Sequence, residues 1–390
     1  MKQFLEGSWA LAESAKLCRP QVVSAYPITP QTHIVEHLAQ FVASGELKAE
    51  AVNVESEHSA ASLVLGSEAT GSRSFTCTSS QGLFLMAEVV FNIAGMRLPV
   101  MMVCANRAIS APINIWNDQQ DSVSLRDSGW IQLQAENNQE AVDLIIAGYK
   151  IGENPKIMLP IMVCVDGFIL THGMETVDMP TQAEVDKFLP AYNPPYKLDA
   201  ADPMSLGLLA DPTVYAENRY ALHKTLLETL PLIEKTGKDF KAQFGRDSVR
   251  LVDEYKLDDA QIALVAMGSV CGTIKDVVDE QRAKGVKVGL LKIVSYRPFP
   301  EEAIKKALSK ATYIGIVDKN ISLGATGANY AEVKALMPAD KKVSGFVAGL
   351  GGRDITPCTI QNIINDTKKE VNVCKFVDLN EKILFPEFKF

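Results

Sequence analysis

Gln21-Val-Val-Ser-Ala-Tyr26-Pro-Ile-Thr29-Pro30 is the first of three short apolar runs that each end in polar residues; Glu50-Ala-Val-Asn-Val54-Glu-Ser-Glu57-His58 and Ser74-Phe-Thr-Cys-Thr78-Ser-Ser80-Gln-Gly82 follow. Stretches of helical period separate them. The pattern therefore predicts strands at 21–26, 50–54 and 74–78 and helices at 31–43, 57–69 and 82–93. Strands alternating with helices of this length signal βαβ units and a parallel sheet covered on both faces, an α/β fold.

The alternation continues through a strand at 99–104, a helix at 139–151 and a strand at 157–165. Prolines at 180, 190, 194, 195, 203 and 212 then exclude a long regular element before a helix expected over 217–244. A second α/β block is expected beyond it, with strands at 262–267, 287–291, 313–317 and 343–347 and helices at 272–284, 300–310 and 328–336. The division falls near 245–258, giving expected domains of 1–245 and 246–390.

With 390 residues, 47% of them apolar and 22% charged, the chain can build a full core in each domain, so neither disulfides nor a structural metal is needed for stability. The 39 basic residues are outnumbered by 47 acidic ones, for a net charge of −8, and no basic stripe stands out; a nucleic-acid partner is not expected. The apolar stretches 83–104 and 157–170 are broken by Glu88, Asn92, Arg97 and Asp166, so no membrane span is expected. The first residues lack the basic-then-apolar pattern of a secretory signal, which predicts a cytoplasmic protein. The seven cysteines are scattered with no CxxC, arguing against a disulfide framework, a zinc site or an iron–sulfur cluster held by this chain alone; most read as small core hydrophobes. The turn-rich runs Gly324–Ala328 and Gly349–Arg353 lack the strand–GxGxxG–helix context of a dinucleotide site.

In open parallel sheets, ligands bind beyond the carboxyl ends of the strands, so the residues there carry the functional reading. They are Tyr26-Pro27-Ile-Thr29-Pro30, Val54-Glu-Ser-Glu57-His58, Thr78-Ser-Ser80-Gln-Gly82, Ala105-Asn-Arg107 and Asp166-Gly167. Thr29-Pro30 fits an N-cap followed by a first-turn proline, and equally a hydroxyl offered to an anionic ligand. Glu57 fits a first-turn acid favoured by the helix dipole, and equally a carboxylate in an apolar setting suited to proton exchange. Arg107 fits a side chain snorkelling to solvent, or a planar fork for a carboxylate. His58, beside Glu57, is a further possible contact. His33 and His37 stand one helical turn apart, but no third ligand is visible and no metal site is expected.

At these residues the chain resembles the α subunits of pyruvate:ferredoxin oxidoreductases, within the 2-oxoacid:ferredoxin oxidoreductase family. The resemblance covers nearly the whole length. It rests on Tyr26-Pro-Ile-Thr-Pro30, Glu55-Ser-Glu-His58, Ser79-Ser-Gln-Gly-Leu83, Asn106-Arg-Ala-Ile-Ser-Ala-Pro-Ile-Asn-Ile-Trp-Asn-Asp-Gln-Gln-Asp121, Arg126-Asp-Ser-Gly-Trp130 and Gly349-Leu-Gly-Gly-Arg-Asp354. It implies a thiamine-diphosphate pyrimidine-binding domain followed by a transketolase C-terminal-like domain. The Gly-Asp-Gly…Asn motif for metal and diphosphate is missing from this sequence, as are cluster cysteines. Such families supply both from partner subunits of β, γ and δ type, which hold Mg2+ and [4Fe-4S] clusters.

The resemblance also implies roles. Glu57 matches the glutamate that hydrogen-bonds N1′ of the aminopyrimidine. Thr29 and Arg107 match residues that contact the substrate, with Pro27 and Ser80 beside the cofactor. The implied reaction is decarboxylation of pyruvate with coenzyme A, electrons leaving through partner clusters to ferredoxin; the chain would be inactive alone. A relative that oxidises oxalate carries Arg where Thr29 stands, because a dianion calls for a second cation; a neutral hydroxyl favours a monoanion. Branched-chain oxoacids and 2-oxoglutarate remain alternatives, as does a scaffold that keeps the fold without catalysis.

Overall fold

A computed structural model describes residues 2–383. The chain divides into two units, the first of residues up to 253 together with 267–269 and 293–303, the second of the rest from 254 onward.

In chain order the first 250 residues form β1 (Lys2–Glu6), α1 (Gly7–Leu17), β2 (Val22–Ala25), α2 (Thr32–Ala43), β3 (Glu50–Asn53), α3 (Glu57–Ala69), β4 (Ser74–Thr78), α4 (Ser80–Leu85), α5 (Ala87–Gly95), β5 (Met101–Asn106), α6 (Gln120–Ser124), β6 (Ile131–Gln134), α7 (Asn138–Gly152), β7 (Ile161–Asp166), β8 (Met174–Asp178), α8 (Gln182–Phe188) and α9 (Tyr215–Phe244). There follow β9 (Val252–Tyr255), β10 (Ile262–Ala266), α10 (Val270–Ala283), β11 (Val288–Ile293), β12 (Ser295–Arg297), α11 (Glu301–Ala307), β13 (Tyr313–Asp318), α12 (Ala328–Leu336), β14 (Lys342–Val347), α13 (Pro357–Lys369) and β15 (Cys374–Phe376).

The first unit is built on a seven-stranded sheet of order β12-β6-β7-β5-β4-β2-β3. All its pairings are parallel except β12 against β6. Strand side chains alternate between faces, and β5 shows both faces buried: Met101, Val103 and Ala105 enter one apolar layer, Met102 and Cys104 the other. Residues of α1, α2 and α7 complete the first layer, residues of α3, α4 and α5 the second. The parallel, doubly covered sheet expected from the sequence is what the chain forms. A second unit has its own six-stranded sheet, order β15-β14-β13-β10-β11-β9, with a core of Ile262, Leu264, Val278, Phe346 and Ile363 among others.

Several elements depart from expectation. The helix expected over 82–93 is two helices parted at Met86, and it begins at Ser80. The strand expected over 99–104 runs from Met101 to Asn106. Strand β6 was hidden because its buried alternate residues Gln132 and Gln134 mask the apolar pattern. Thr29-Pro30 does not cap a helix: Gln31 holds the N-cap position of α2, and the Thr29–Pro30 bond is cis. The cap-and-proline pair occurs instead at Thr356-Pro357, where Thr356 accepts from Thr359 N–H and opens α13, a helix the sequence reading passed over. Cys18, Cys77, Cys104, Cys164 and Cys271 are buried free thiols, whereas Cys374 is half-buried and Cys358 exposed. No helix among the described residues is long and apolar enough to cross a membrane.

Candidate active site

The five strand ends singled out in the sequence lie side by side, because β3, β2, β4, β5 and β7 are successive neighbours in the sheet. Chain order reverses at β2, whose flanking strands are β3 and β4. Such a reversal opens a crevice beyond the carboxyl ends, since the connections on either side leave to opposite faces. Thr29 follows β2 and Ser80 follows β4, so both stand at this point of the fold.

Glu57 is the first residue of α3, set there by Ser56, whose hydroxyl accepts from Ser59 N–H at 3.3 Å. Its side chain is turned inward, leaving the residue 7% exposed. A Cβ built on Gly82 would fall 2.7 Å from Glu57 Oε1 and 2.6 Å from Thr78 Oγ1. The carboxylate therefore lies against the start of α4, and only glycine admits it there. It has no hydrogen-bond or ion-pair partner among the described residues. The Thr78 hydroxyl beside Gly82 is also buried and unpartnered. An unsatisfied buried polar group is costly, and the Thr78 hydroxyl is such a group beside the unpartnered carboxylate.

Arg107 begins the loop after β5 and is 6% exposed. Its Nε donates to Asn114 O at 3.0 Å and its Nη1 to Thr29 O at 2.9 Å, joining the loop after β2 to the loop after β5. Nη2 has no hydrogen-bond partner among the described residues. Burial lowers the basicity of the guanidinium and the charge of Asp121 opposes that. Thr29 itself is exposed, so its hydroxyl is open to a ligand, and Pro27 is exposed beside it.

Sequence reasoning missed the residues that hold these loops. The Asp121 carboxylate, fully buried, accepts from Ser80 N–H at 3.0 Å, Arg107 N–H at 2.9 Å and Asn106 Nδ2 at 2.7 Å. Burial pushes its pKa up to about 6 against these hydrogen bonds. One side chain thus fixes the ends of β4 and β5 together, and the Ser79 hydroxyl adds a bond to Ala105 O at 2.7 Å. Gln31 Nε2 donates to Tyr26 O at 2.8 Å, bridging the two ends of the Pro27–Pro30 loop. The only signal for Asp121 was its place at the end of the long motif beginning at Asn106.

Two further residues singled out in the sequence are placed by the structure. The Ser80 hydroxyl donates to Ala108 O and its backbone takes a left-handed conformation, φ 47°, so its side chain is engaged by the protein. His58 is exposed. Asp166 accepts from Ser269 N–H at 3.0 Å.

Comparison with known proteins identifies the family. Residues 13–236 match the family described as pyruvate flavodoxin/ferredoxin oxidoreductase, thiamine diP-binding, and residues 260–360 match pyruvate:ferredoxin oxidoreductase core domain II. The chain is 50% identical to pyruvate synthase subunit PorA of Methanothermobacter thermautotrophicus, over 97% of this chain and 98% of that one. It is 42% identical to ketoisovalerate oxidoreductase subunit VorA of Pyrococcus horikoshii, over 95% of each. A solved 2-oxoglutarate:ferredoxin oxidoreductase from Magnetococcus marinus shares the fold at a TM-score of 0.71 and 18% identity, covering 94% of this chain, which spans 65% of that longer one. Sequence and architecture together place this chain in the pyruvate flavodoxin/ferredoxin oxidoreductase family, with its first unit carrying the thiamine-diphosphate-binding fold.

Proposed function

We propose that this chain is the α subunit of a pyruvate:ferredoxin oxidoreductase, or pyruvate synthase, acting in the cytoplasm with β, γ and δ type subunits. The observation that carries the proposal is the Glu57 carboxylate, nearly buried against Gly82 and without a protein partner. Thiamine diphosphate fits a buried carboxylate without a protein partner, and when bound it would supply a thiazolium carbon able to stabilise a carbanion. Glu57 would hold the proton shared with pyrimidine N1′ of the bound cofactor. Arg107 offers Nη2 to the carboxylate of the oxoacid, and its fixed contacts to Thr29 O and Asn114 O keep the fork oriented. The exposed Thr29 hydroxyl donates to the same carboxylate or to the reacting oxygen. Pro27 and Ser80 would flank the cofactor, Ser80 by shaping the turn into α4.

In the overall reaction the C1–C2 bond of pyruvate breaks, carbon dioxide leaves, and the acetyl group passes to the sulfur of coenzyme A. Partner subunits holding [4Fe-4S] clusters would take the two released electrons singly to ferredoxin, and the thiol proton of coenzyme A is released; the reverse direction makes pyruvate. Mg2+ and the diphosphate end of the cofactor belong to a partner in this proposal, because this chain lacks their motif.

Pyruvate is favoured over 3-methyl-2-oxobutanoate, 2-oxoglutarate and oxalate by the neutral Thr29 and by the 50% against 42% identities of the two named relatives. The test is to purify the chain with its bound subunits, identify them and the cofactor by mass, and compare kcat/KM for these four acids. The proposal expects thiamine diphosphate and a clear preference for pyruvate. A preference for another acid would reassign the substrate, and a complex without thiamine diphosphate would make the chain a scaffold.

A further inference from the structure

The two histidines one turn apart in α2 part company in the structure. His37 turns to Trp9, their ring centroids 4.5 Å apart. His33 instead meets two residues distant in sequence: Glu6, where β1 passes into α1, and His172, in the loop after β7. His33 Nδ1 lies 2.7 Å from Glu6 Oε1, and the rings of His33 and His172 have centroids 5.0 Å apart. One donor atom from each of the three residues lies within 4.8 Å of the others.

The third member is held from behind. Its Nδ1 is 2.8 Å from the Thr171 hydroxyl, which is itself fully buried and accepts from Phe168 N–H at 2.9 Å. The Phe168 ring packs against the imidazole at 4.7 Å. If Nδ1 donates to Thr171, Nε2 keeps its lone pair free, the arrangement in which an outer hydrogen bond orients a metal-binding histidine.

We propose that Glu6, His33 and His172 form a binding site for a divalent cation of the Zn2+ class. Two imidazoles and a carboxylate suit Zn2+, Co2+ or Ni2+ far better than Mg2+ or Ca2+, which prefer all-oxygen sets. The cation displaces a proton or hydrogen bond between His33 and Glu6, and water completes the coordination. Small rotations of these partly exposed side chains bring the donor atoms to the metal–ligand distances of about 2.0–2.2 Å that Zn2+ requires. The site is separate in its residues from Glu57, Thr29 and Arg107, and its test needs neither thiamine diphosphate nor an oxoacid.

The full-length chain, stripped of metal, is titrated with ZnCl2 by calorimetry and with CoCl2 by visible absorption. One Zn2+ per chain and a tetrahedral Co2+ spectrum are expected. His172→Ala, at an exposed position, should keep the melting temperature and lose the Co2+ spectrum, and Glu6→Gln should weaken Zn2+ binding at least tenfold. The proposal is overturned if the wild-type chain takes up no Zn2+, if its Co2+ spectrum is octahedral, or if His172→Ala and His33→Ala bind as the wild type does.

Discussion

Buried charge is handled in opposite ways at the two ends of the first unit's sheet. At the amino ends of the strands, Arg73 precedes β4 and is fully paired: Nε and Nη2 reach Glu153 at 2.6 and 2.7 Å, Nη1 reaches Cys18 O at 2.6 Å, and Nη2 also reaches Pro190 O at 2.9 Å. Nearby Glu68 accepts from Ser74 N–H at 2.9 Å, and burial pushes its pKa up to about 8, so at neutral pH it is mostly uncharged. At the carboxyl ends, Glu57 and the Nη2 of Arg107 are left unanswered by the protein. Where a buried ion serves the fold, the fold completes or neutralises it. The proposed function assigns the open positions of Glu57 and Arg107 to ligands.

The largest effect should come from Glu57→Gln. Assembled with its partners, this variant should lose about 10²–10⁴-fold in oxoacid-dependent ferredoxin reduction, with an unchanged melting temperature. Retained activity would break the contrast between the two ends. Arg73→Met should do the converse, costing about 3–5 kcal/mol of stability in urea unfolding because Glu153 is left as a lone buried carboxylate. Its kcat per folded complex should stay near the wild type. Arg107→Lys keeps the charge and loses the fork; KM for pyruvate should rise about 10–100-fold, the worth of one hydrogen bond to a charged group, with a smaller change in kcat.

The smallest effect concerns pH. The folded pKa of Glu68 lies at about 8, above its unfolded value of about 4.3. The native state therefore binds more protons than the unfolded state across that window, and stability falls as pH rises through it. Glu68→Gln removes this dependence, so the drop in melting temperature between pH 5 and pH 8 should shrink. An unchanged drop would show that Glu68 is charged and paired, and the two ends would then differ less.

The alternation of strands and helices was legible because a doubly covered parallel sheet imposes it on the sequence, and the strand ends followed from that alone. Glu57 and Arg107 could be picked out as polar residues ending apolar runs, and the resemblance gave them roles. Strand β6 was illegible because two of its four residues are buried glutamines. Asp121 and Gln31 were missed because they act on backbone groups of distant loops, and no local pattern announces which N–H a carboxylate will meet. Thr29-Pro30 and Thr356-Pro357 read alike in one dimension; only the chain path after each decides which starts a helix.

The most direct test of Glu57 follows the proton itself: the rate at which deuterium exchanges into C2 of thiamine diphosphate bound to the assembled complex. With cofactor occupancy held equal, exchange in Glu57→Gln should be slower than in the wild type by about 10²–10⁴-fold. Equal rates would mean that the shielded carboxylate beside Gly82 does not serve the cofactor.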